Sequence, residues 1–278
     1  MEWFDALIMG IVQGLAEYLP ISSSGQLEIC HSLLNLDTSG AESLQFDVTL
    51  HVATVLSTIV VLWHEFSRIC TSVLTWRRDE EFHTFWKILL SCVPVGIIAF
   101  LFKDKIDEFY GGKLGVVGIC LLFTALLLLF AYFFRTRSLV RSKGGNESAM
   151  IGRPIRWYDA LIIGVAQAVA VLPGLSRSGS TIATGILLGN KREAVAKFSF
   201  LMVIIPILGQ ALLDVIKGIK DGELSSEIGA VPLLVGFFSS FIVGCLACKW
   251  MISLVKRGKL VWFALYCIAV GIICLIFQ

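Results

Sequence analysis

Long apolar runs separated by short polar loops make up most of the chain. Six of the runs approach the ~20 residues that an α-helix needs to cross the hydrocarbon core of a bilayer. These runs lie at 46–64, 84–102, 114–134, 195–217, 229–249 and 260–277. The pattern therefore predicts an all-α polytopic membrane protein with about six spanning helices.

Two further apolar segments, 3–35 and 157–190, are broken in the middle by proline, glycine and serine residues. Backbone that lacks helical hydrogen bonds is not tolerated against lipid, so each break must be buried in protein or line a wet cavity. We expect both segments to be re-entrant helix pairs, which enter and leave the membrane on the same side.

The two broken segments resemble one another in sequence. Residues 3–13 read WFDALIMGIVQ and residues 157–167 read WYDALIIGVAQ, with seven identical pairs among eleven. At the same offset, SSSG at 22–25 becomes SRSG at 176–179. Broken apolar segments at matching places in two halves indicate a buried polar site in a membrane protein built from repeats.

Positive charge is distributed unevenly among the loops. Fifteen lysine and arginine residues lie in one set of loops, at 65–83, 135–156, 191–194 and 249–259. Four lie in the other set, at 36–45, 103–113 and 218–228. Because cytoplasmic loops carry the excess of lysine and arginine, we expect the first set to be cytoplasmic and both termini to lie outside.

Each half of the chain then has three spans, an odd number, so the two halves should have inverted topology. We expect a single membrane domain in which repeat 1 covers about 1–134 and repeat 2 covers about 157–278. A cytoplasmic linker, 135–156, joins them. In this arrangement the tips of the two broken segments can meet near the middle of the membrane.

The amino-acid composition supports a membrane protein, offers no support for nucleic-acid binding and argues against a metal or redox role for the cysteines. Hydrophobic residues make up 56% of the chain and charged residues 16%, which excludes an ordinary soluble domain. The net charge of +2 comes from loops and gives no reason to expect a nucleic-acid partner. Cys245 and Cys248 form a CxxC pair inside an apolar run, which favours packing over metal or redox chemistry. The first apolar stretch carries Asp5 and Glu17, so we expect no cleaved signal peptide.

Arg177 lies in a turn rich in glycine and serine, in apolar surroundings where a guanidinium needs an anionic partner. Such a turn at the start of a helix directs backbone N–H groups and the positive helix end at an anion. Arginine adds paired donors that match phosphate oxygens. The turn therefore predicts a phosphate site, to which Ser176, Ser178, Ser180 and Thr181 can contribute. A buried ion pair between Arg177 and Glu17 is the alternative, and the two interpretations are compatible.

The first broken segment carries a buried acid. Gln13 and Glu17 are four residues apart and share one helix face. A carboxylate at this depth could bind a divalent metal or orient a water molecule. The simpler interpretation is that it neutralises Arg177.

Hydroxyl and imidazole groups follow that acid along the chain. Ser22, Ser23 and Ser24 could bind phosphate, or act as a nucleophile beside a base, but they could also cap the next helix. His51 opens the following span and is a better functional candidate than His31. For either histidine, a purely structural hydrogen bond is the alternative.

These motifs resemble the signatures of the undecaprenyl-diphosphate phosphatases, the bacitracin-resistance membrane family. The first signature is QGLAEYLPISSSG at 13–25, the second is PGLSRSGSTI at 173–182, and FSFL at 198–201 followed by Pro206 is a third shared stretch. The resemblance covers nearly the whole chain. It implies a membrane enzyme that removes the terminal phosphate from a C55 isoprenyl diphosphate to give the lipid carrier of cell-wall synthesis.

The resemblance also implies a cofactor, a location and residue roles. It implies dependence on a divalent cation, Mg²⁺ or Ca²⁺, and a site that opens to the outer face of the bacterial inner membrane. Glu17 matches an acid associated with metal or water, and Ser23 matches a serine required for activity. Diphosphate-binding positions match Ser176, Arg177 and Thr181. Together with these, the candidate substrate contacts are Gln13, Ser22, Ser24, Ser178 and His51.

Gln26 departs from the family pattern. The family has a histidine at this position, proposed as a base or nucleophile, and glutamine cannot exchange a proton near pH 7. His51 stands where the family commonly has glutamine, so an exchange of roles between the two positions is conceivable. We therefore keep Gln26 among the candidate catalytic residues with Glu17, Ser23 and Arg177.

Two other functions stay open at this point. A lipid-phosphate transporter would use the same inverted repeats and broken helices. A catalytically impaired relative would bind the diphosphate lipid without turnover. In each case the expected partners are an isoprenyl diphosphate lipid and the bilayer, with a homodimer as a further hypothesis.

Overall fold

The computed structural model describes residues 1–34, 40–101, 114–141, 152–172, 174–221 and 228–277, with backbone alone at 40–44, 135–141, 214 and 217–221. This part of the chain forms twelve α-helices and contains no β-strand. The predicted all-α class is therefore confirmed.

The helices of the first half are α1 (Trp3–Ala16), α2 (Ser23–Leu33), α3 (Gly40–Val61), α4 (Trp63–Leu74), α5 (Glu80–Leu101) and α6 (Leu114–Arg141). Those of the second half are α7 (Trp157–Val169), α8 (Arg177–Leu187), α9 (Arg192–Met202), α10 (Ile204–Asp221), α11 (Ala230–Lys256) and α12 (Val261–Ile276). Within the described residues, every apolar run predicted to span the membrane is mostly helical, although the runs 46–64 and 195–217 are each interrupted, at Leu62 and Val203. Residues 142–151 of the predicted linker lie outside the described residues.

Four stretches of described helix are long and apolar enough to cross a membrane. They are Glu80–Leu101, Leu114–Phe134, Arg192–Leu213 and Ala230–Lys256. A fifth is added if α3 and α4 count as one span, although the two helices meet at 85° beside Leu62. With 16 residues, α12 is apolar but shorter. The helices support an integral membrane protein, and the number of six spans stays a prediction.

Both broken segments form two short helices joined by a turn. Pro20 has no N–H and restricts the residue before it, which prevents α1 from continuing. In the second segment the turn passes through Gly174, whose φ of +86° suits glycine. A serine then caps the next helix in each copy. Ser22 Oγ accepts from Gly25 N at 3.3 Å, and Ser176 Oγ accepts from Gly179 N at 3.0 Å.

The first helix of each pair packs closely on a long helix from the other half of the chain: α1 packs on α11, and α7 packs on α5. Glycines make this possible, because a Cβ at Gly14 would lie 2.7 Å from Ser240 O and one at Gly164 would lie 2.4 Å from Ser91 O. Such close backbone contact between small residues is a common way to hold helices together in membranes.

This packing predicts the effect of one added methyl group. Gly164→Ala should lower stability by about 1–3 kcal/mol, because the new Cβ meets backbone atoms of α5 that cannot rotate away. Gly96→Ala on α5 is the matched control, since nothing lies within 4 Å of its added Cβ. Thermal unfolding midpoints in one detergent compare the two variants. A Gly164→Ala protein as stable as the Gly96→Ala protein would contradict the close contact.

Candidate active site

An ion pair joins the two turns at the centre of the molecule. Arg177 Nη2, at the start of α8, donates a hydrogen bond to Glu17 Oε1, which follows the end of α1. The Glu17 side chain is 5% exposed and that of Arg177 is 17% exposed. The ion pair suggested by the sequence is therefore present, and it lies within the predicted phosphate turn.

Three more side chains converge on the Glu17 carboxylate. Gln13 Nε2 and Ser23 Oγ each donate a hydrogen bond to Glu17 Oε2 at 3.0 Å. His51 Nε2 lies 3.9 Å from the same oxygen. Hydrogen bonds to an ionised carboxylate are among the stronger ones, so these donors stabilise its charged form. The Glu17 carboxylate therefore lies close to side chains from three helices, α1, α2 and α3.

Two polar atoms of this cluster have no hydrogen-bond partner among the described residues. They are Arg177 Nη1 and Gln13 Oε1, and both are buried. A buried polar group without a partner costs about 1–3 kcal/mol, so each of these atoms is available to bond to a ligand. The first is a donor suited to an anion, and the second is an oxygen suited to a donor or a cation.

His51 is oriented toward the ion pair by its own helix. Its Nδ1 lies 2.7 Å from the carbonyl oxygen of Asp47. A carbonyl can only accept, so Nδ1 carries the proton and Nε2 faces Glu17. His31 instead faces the Asp47 side chain, with 3.9 Å between Nε2 and Oδ1. Of these two histidines, the structure brings only His51 within 4 Å of Glu17.

Three hydroxyl groups of the second turn bond to the protein itself, whereas the buried Ser180 Oγ has no partner among the described residues. Ser176 caps α8, and Ser178 Oγ donates to Leu19 O in the opposite turn at 3.1 Å. Thr181 Oγ1 lies 2.6 Å from Ser199 Oγ on α9. All three side chains lie around Arg177, and their described bonds hold the turn in place.

The serines of the first turn are divided between two tasks. Ser23 is bonded to Glu17, whereas Ser22 caps α2. Ser24 Oγ accepts from Gly174 N at 3.5 Å and so touches the second turn. Ser22 therefore has the capping role that the sequence analysis left open for these three serines.

Gln26 is buried but bonded away from the ion pair. Its Nε2 donates to Ile21 O at 3.1 Å, and its Oε1 accepts from the hydroxyl of Tyr266 at 2.8 Å. Neither contact reaches Glu17 or Arg177. In this structure Gln26 links the first turn to α12.

Several polar residues that the sequence analysis did not select support the site. Thr124 Oγ1 accepts from Ser176 N at 3.1 Å, and Ser199 and Tyr266 make the contacts described above. The Tyr18 hydroxyl donates to Thr54 O at 2.7 Å. Tyr18 and Ser199 lie in the first and third shared stretches, and for Thr124 and Tyr266 the only signal is a polar side chain inside an apolar run.

A narrow opening, with almost no room for a water-sized sphere in this structure, lies beside the ion pair. Its lining changes from charged to apolar, with Glu17, Tyr18, Thr54, Val55, Thr58, Arg177, Phe200, Val203 and Ile207 around it. Pockets that combine a few polar groups with apolar walls suit ligands that have both kinds of surface. A charged head group attached to a hydrocarbon chain has this character.

The side chains around Glu17 could bind a divalent cation that has few protein ligands. No group of three or more histidine, cysteine, aspartate or glutamate side chains in the described ranges is placed to hold a metal ion. Mg²⁺ is often held by one or two carboxylates together with substrate phosphates. Glu17 and the unpartnered Gln13 Oε1 supply oxygen donors of the right kind.

Comparison with known proteins gives a consistent result. The family model described as bacitracin resistance protein BacA matches residues 6–273. An undecaprenyl-diphosphatase of Parabacteroides distasonis is 50% identical over 98% of this chain and 97% of its own length. One from Bacteroides thetaiotaomicron is 47% identical over the full length of both chains.

More distant relatives show the same coverage. Undecaprenyl-diphosphatase 1 of Bacillus cereus is 36% identical over 98% of this chain and 96% of its own length. These matches extend across both turns and all twelve described helices. They confirm the resemblance found in the sequence, and the chain belongs to the bacitracin resistance protein BacA family.

Proposed function

We propose that this protein hydrolyses undecaprenyl diphosphate to undecaprenyl phosphate and inorganic phosphate, and so recycles the lipid carrier of cell-wall synthesis. Relatives that match over the full chain are named undecaprenyl-diphosphatase, which favours hydrolysis over lipid-phosphate transport or loss of activity. The structural observation that carries the proposal is Arg177, placed at a helix start and opposite Glu17 where the two turns meet.

Arg177 is the proposed phosphate-binding group. Its Nη1 has no described partner, and its Nη2 is bonded to Glu17. When a terminal phosphate takes the place of the carboxylate, both nitrogens can donate to its oxygens in the paired geometry that arginine favours. The backbone N–H groups at the start of α8 add partial positive charge.

Glu17 is the proposed proton acceptor. The Ser23 hydroxyl already donates to it at 3.0 Å, so a proton can pass to the carboxylate from Ser23 or from a water that Ser23 orients. The oxygen that loses this proton attacks the terminal phosphorus, and the anhydride P–O bond breaks so that its electron pair leaves with the lipid monophosphate. Attack by water gives inorganic phosphate directly, whereas attack by Ser23 gives a phosphoserine that a water molecule must then hydrolyse to release inorganic phosphate. Charge spreads over the phosphoryl oxygens, where Arg177 neutralises it.

A divalent cation, Mg²⁺ or Ca²⁺, is part of the proposal. Glu17 and Gln13 would hold it together with oxygens of the diphosphate, since these are the oxygen donors that the cluster offers. When bound, the cation neutralises phosphoryl charge. Ser22, Ser24, Ser176, Ser178, Thr181 and His51 form the proposed wall of the substrate site, with several of their side chains fixing its shape.

The proposed architecture is an inverted repeat in a single membrane domain. It is supported by the way helices pair across the halves: α1 packs on α11, as its counterpart α7 packs on α5, and α6 packs on α12. The excess of basic residues in one set of loops supports cytoplasmic placement of that set, with both termini outside. We infer that the site faces the outer side of the bacterial inner membrane. A homodimer stays a prediction, as does the lack of a nucleic-acid partner.

The experiment that tests the proposed function measures phosphate release from undecaprenyl diphosphate by purified protein in detergent. Arg177→Ala should lower kcat by at least about 10²-fold, because it removes the paired donors proposed to neutralise the phosphoryl oxygens. Arg177→Lys should recover little, since a point charge does not replace paired donors. Lipid binding without phosphate release by the parent protein would contradict the proposal. If Arg177→Lys releases phosphate at the parent rate, Arg177 contributes only its positive charge and not its paired donors.

Glu17→Gln should lower kcat by at least about 10²-fold, because an amide is a weaker metal ligand and cannot accept the proton. Any activity that remains should no longer respond to a chelator. Glu193→Gln is the matched control, since Glu193 forms ion pairs with Lys197 and Lys256 away from the turns. Retention of both rate and chelator response by the Glu17 variant would assign these roles to another group.

Labelling of single cysteines tests the topology. In a background without native cysteines, Ser142→Cys and Lys256→Cys should react with an impermeant reagent only from the cytoplasmic side. Asp107→Cys should react only from outside. Positions 107 and 142 lie outside the described residues, so their labelling gives independent information. Labelling of these two positions from the same side would contradict inverted repeats.

A further inference from the structure

The turn that places Ser23 beside Glu17 is strained. Ser22, the residue before it, has a φ of +66°, a left-handed conformation that residues other than glycine seldom adopt. Such a conformation persists only where the surrounding structure holds it firmly. The groups that hold this turn therefore also determine where the Ser23 hydroxyl lies.

Four consecutive carbonyl groups of the turn accept hydrogen bonds from three helices. Leu19 O accepts from Ser178 Oγ on α8 at 3.1 Å, and Pro20 O accepts from Cys267 Sγ on α12 at 3.4 Å. Ile21 O and Ser22 O both accept from Gln26 on α2, through Nε2 at 3.1 Å and the backbone N at 2.9 Å. Gln26 thus makes two of these four contacts.

The position of the Gln26 amide is fixed in turn by Tyr266. Because Ile21 O can only accept, the Nε2 end of Gln26 must face it and the Oε1 end must face the Tyr266 hydroxyl. The hydroxyl is therefore the donor, at 2.8 Å. The Tyr266 ring is 39% exposed on α12, and its hydroxyl reaches inward. The bonds form one directed chain from Tyr266 through Gln26 to Ile21.

We propose that Tyr266 is a positioning residue, which acts through Gln26 to hold the turn that places the Ser23 hydroxyl on Glu17. The inference rests on the proposed function, because it concerns the geometry of the same reaction. It gives Gln26 a task that needs a donor and an acceptor but no exchange of protons. Glutamine supplies both through its amide.

Tyr266→Phe tests the inference, because it keeps the ring and removes only the hydroxyl. The kcat for undecaprenyl diphosphate should fall about tenfold, while KM should stay within about twofold, since a small shift of a reacting group affects the chemical step most. Tyr158→Phe is the matched control, because its hydroxyl accepts from exposed Arg156 at 3.2 Å. That variant should match the parent.

A double variant separates a chain of contacts from two independent effects. Gln26→Leu removes both side-chain bonds, so adding Tyr266→Phe should slow the enzyme no further. If Gln26→Leu fails to fold, Gln26→Met replaces it, because its side chain has a similar length and cannot donate to Ile21. If the fold loss of kcat in the double variant equals the product of the losses in the two single variants, the inference is overturned.

Failure of this inference differs from failure of the proposed function. No phosphate release by the parent overturns the function itself. An active parent with an unchanged kcat in Tyr266→Phe overturns only the positioning role. A Tyr266→Phe protein with a lower unfolding midpoint and a raised KM, but the parent kcat, also overturns it. A lower kcat at an unchanged unfolding midpoint supports it.

Discussion

The ion pair between Glu17 and Arg177 is the interaction on which the rest of the structure depends. A buried charge is tolerated only when it is paired and hydrogen-bonded, and removal of one partner leaves the other uncompensated. Each half of the chain contributes one of the two charges, so neither half can bury its own turn at low cost. Assembly of the site and assembly of the two halves are therefore the same event.

The same pair also shapes the proposed reaction. In the structure the Glu17 carboxylate is bonded to the Arg177 guanidinium, which is the proposed phosphate-binding group. A substrate must therefore compete with Glu17 for Arg177. A phosphate group with more than one negative charge can do so more easily than a neutral head group. The carboxylate released in this exchange is then free to receive a proton or a cation. When phosphate replaces Glu17 as the partner of Arg177, Arg177 holds the substrate and Glu17 becomes free to act.

The helices and their meeting point could be predicted from the sequence because both leave strong local signals. Length and hydropathy mark the long helices, proline and glycine mark the breaks, and the repeated motif indicates that the two turns belong together. The bend beside Leu62 lacks such a signal, since no glycine or proline lies near it, whereas the break at Val203 is marked only by Pro206 in the first turn of α10. Contacts such as that between Gln26 and Tyr266 join residues 240 positions apart, so no local pattern reveals them. Nor can a serine-rich motif tell which hydroxyl caps a helix and which one, like Ser23, reaches the acid.

The glycine contacts of α1 with α11 and of α7 with α5 divide the molecule into rigid and adaptable parts. Where backbone meets backbone at Gly14 and Gly164, no side chain can rotate to create space. Beside the ion pair, Val55 of α3 and Ile207 of α10 line the opening, and their side chains can change rotamer. Such side chains can make room for a hydrocarbon chain, while the glycine contacts hold α1 and α7 in place.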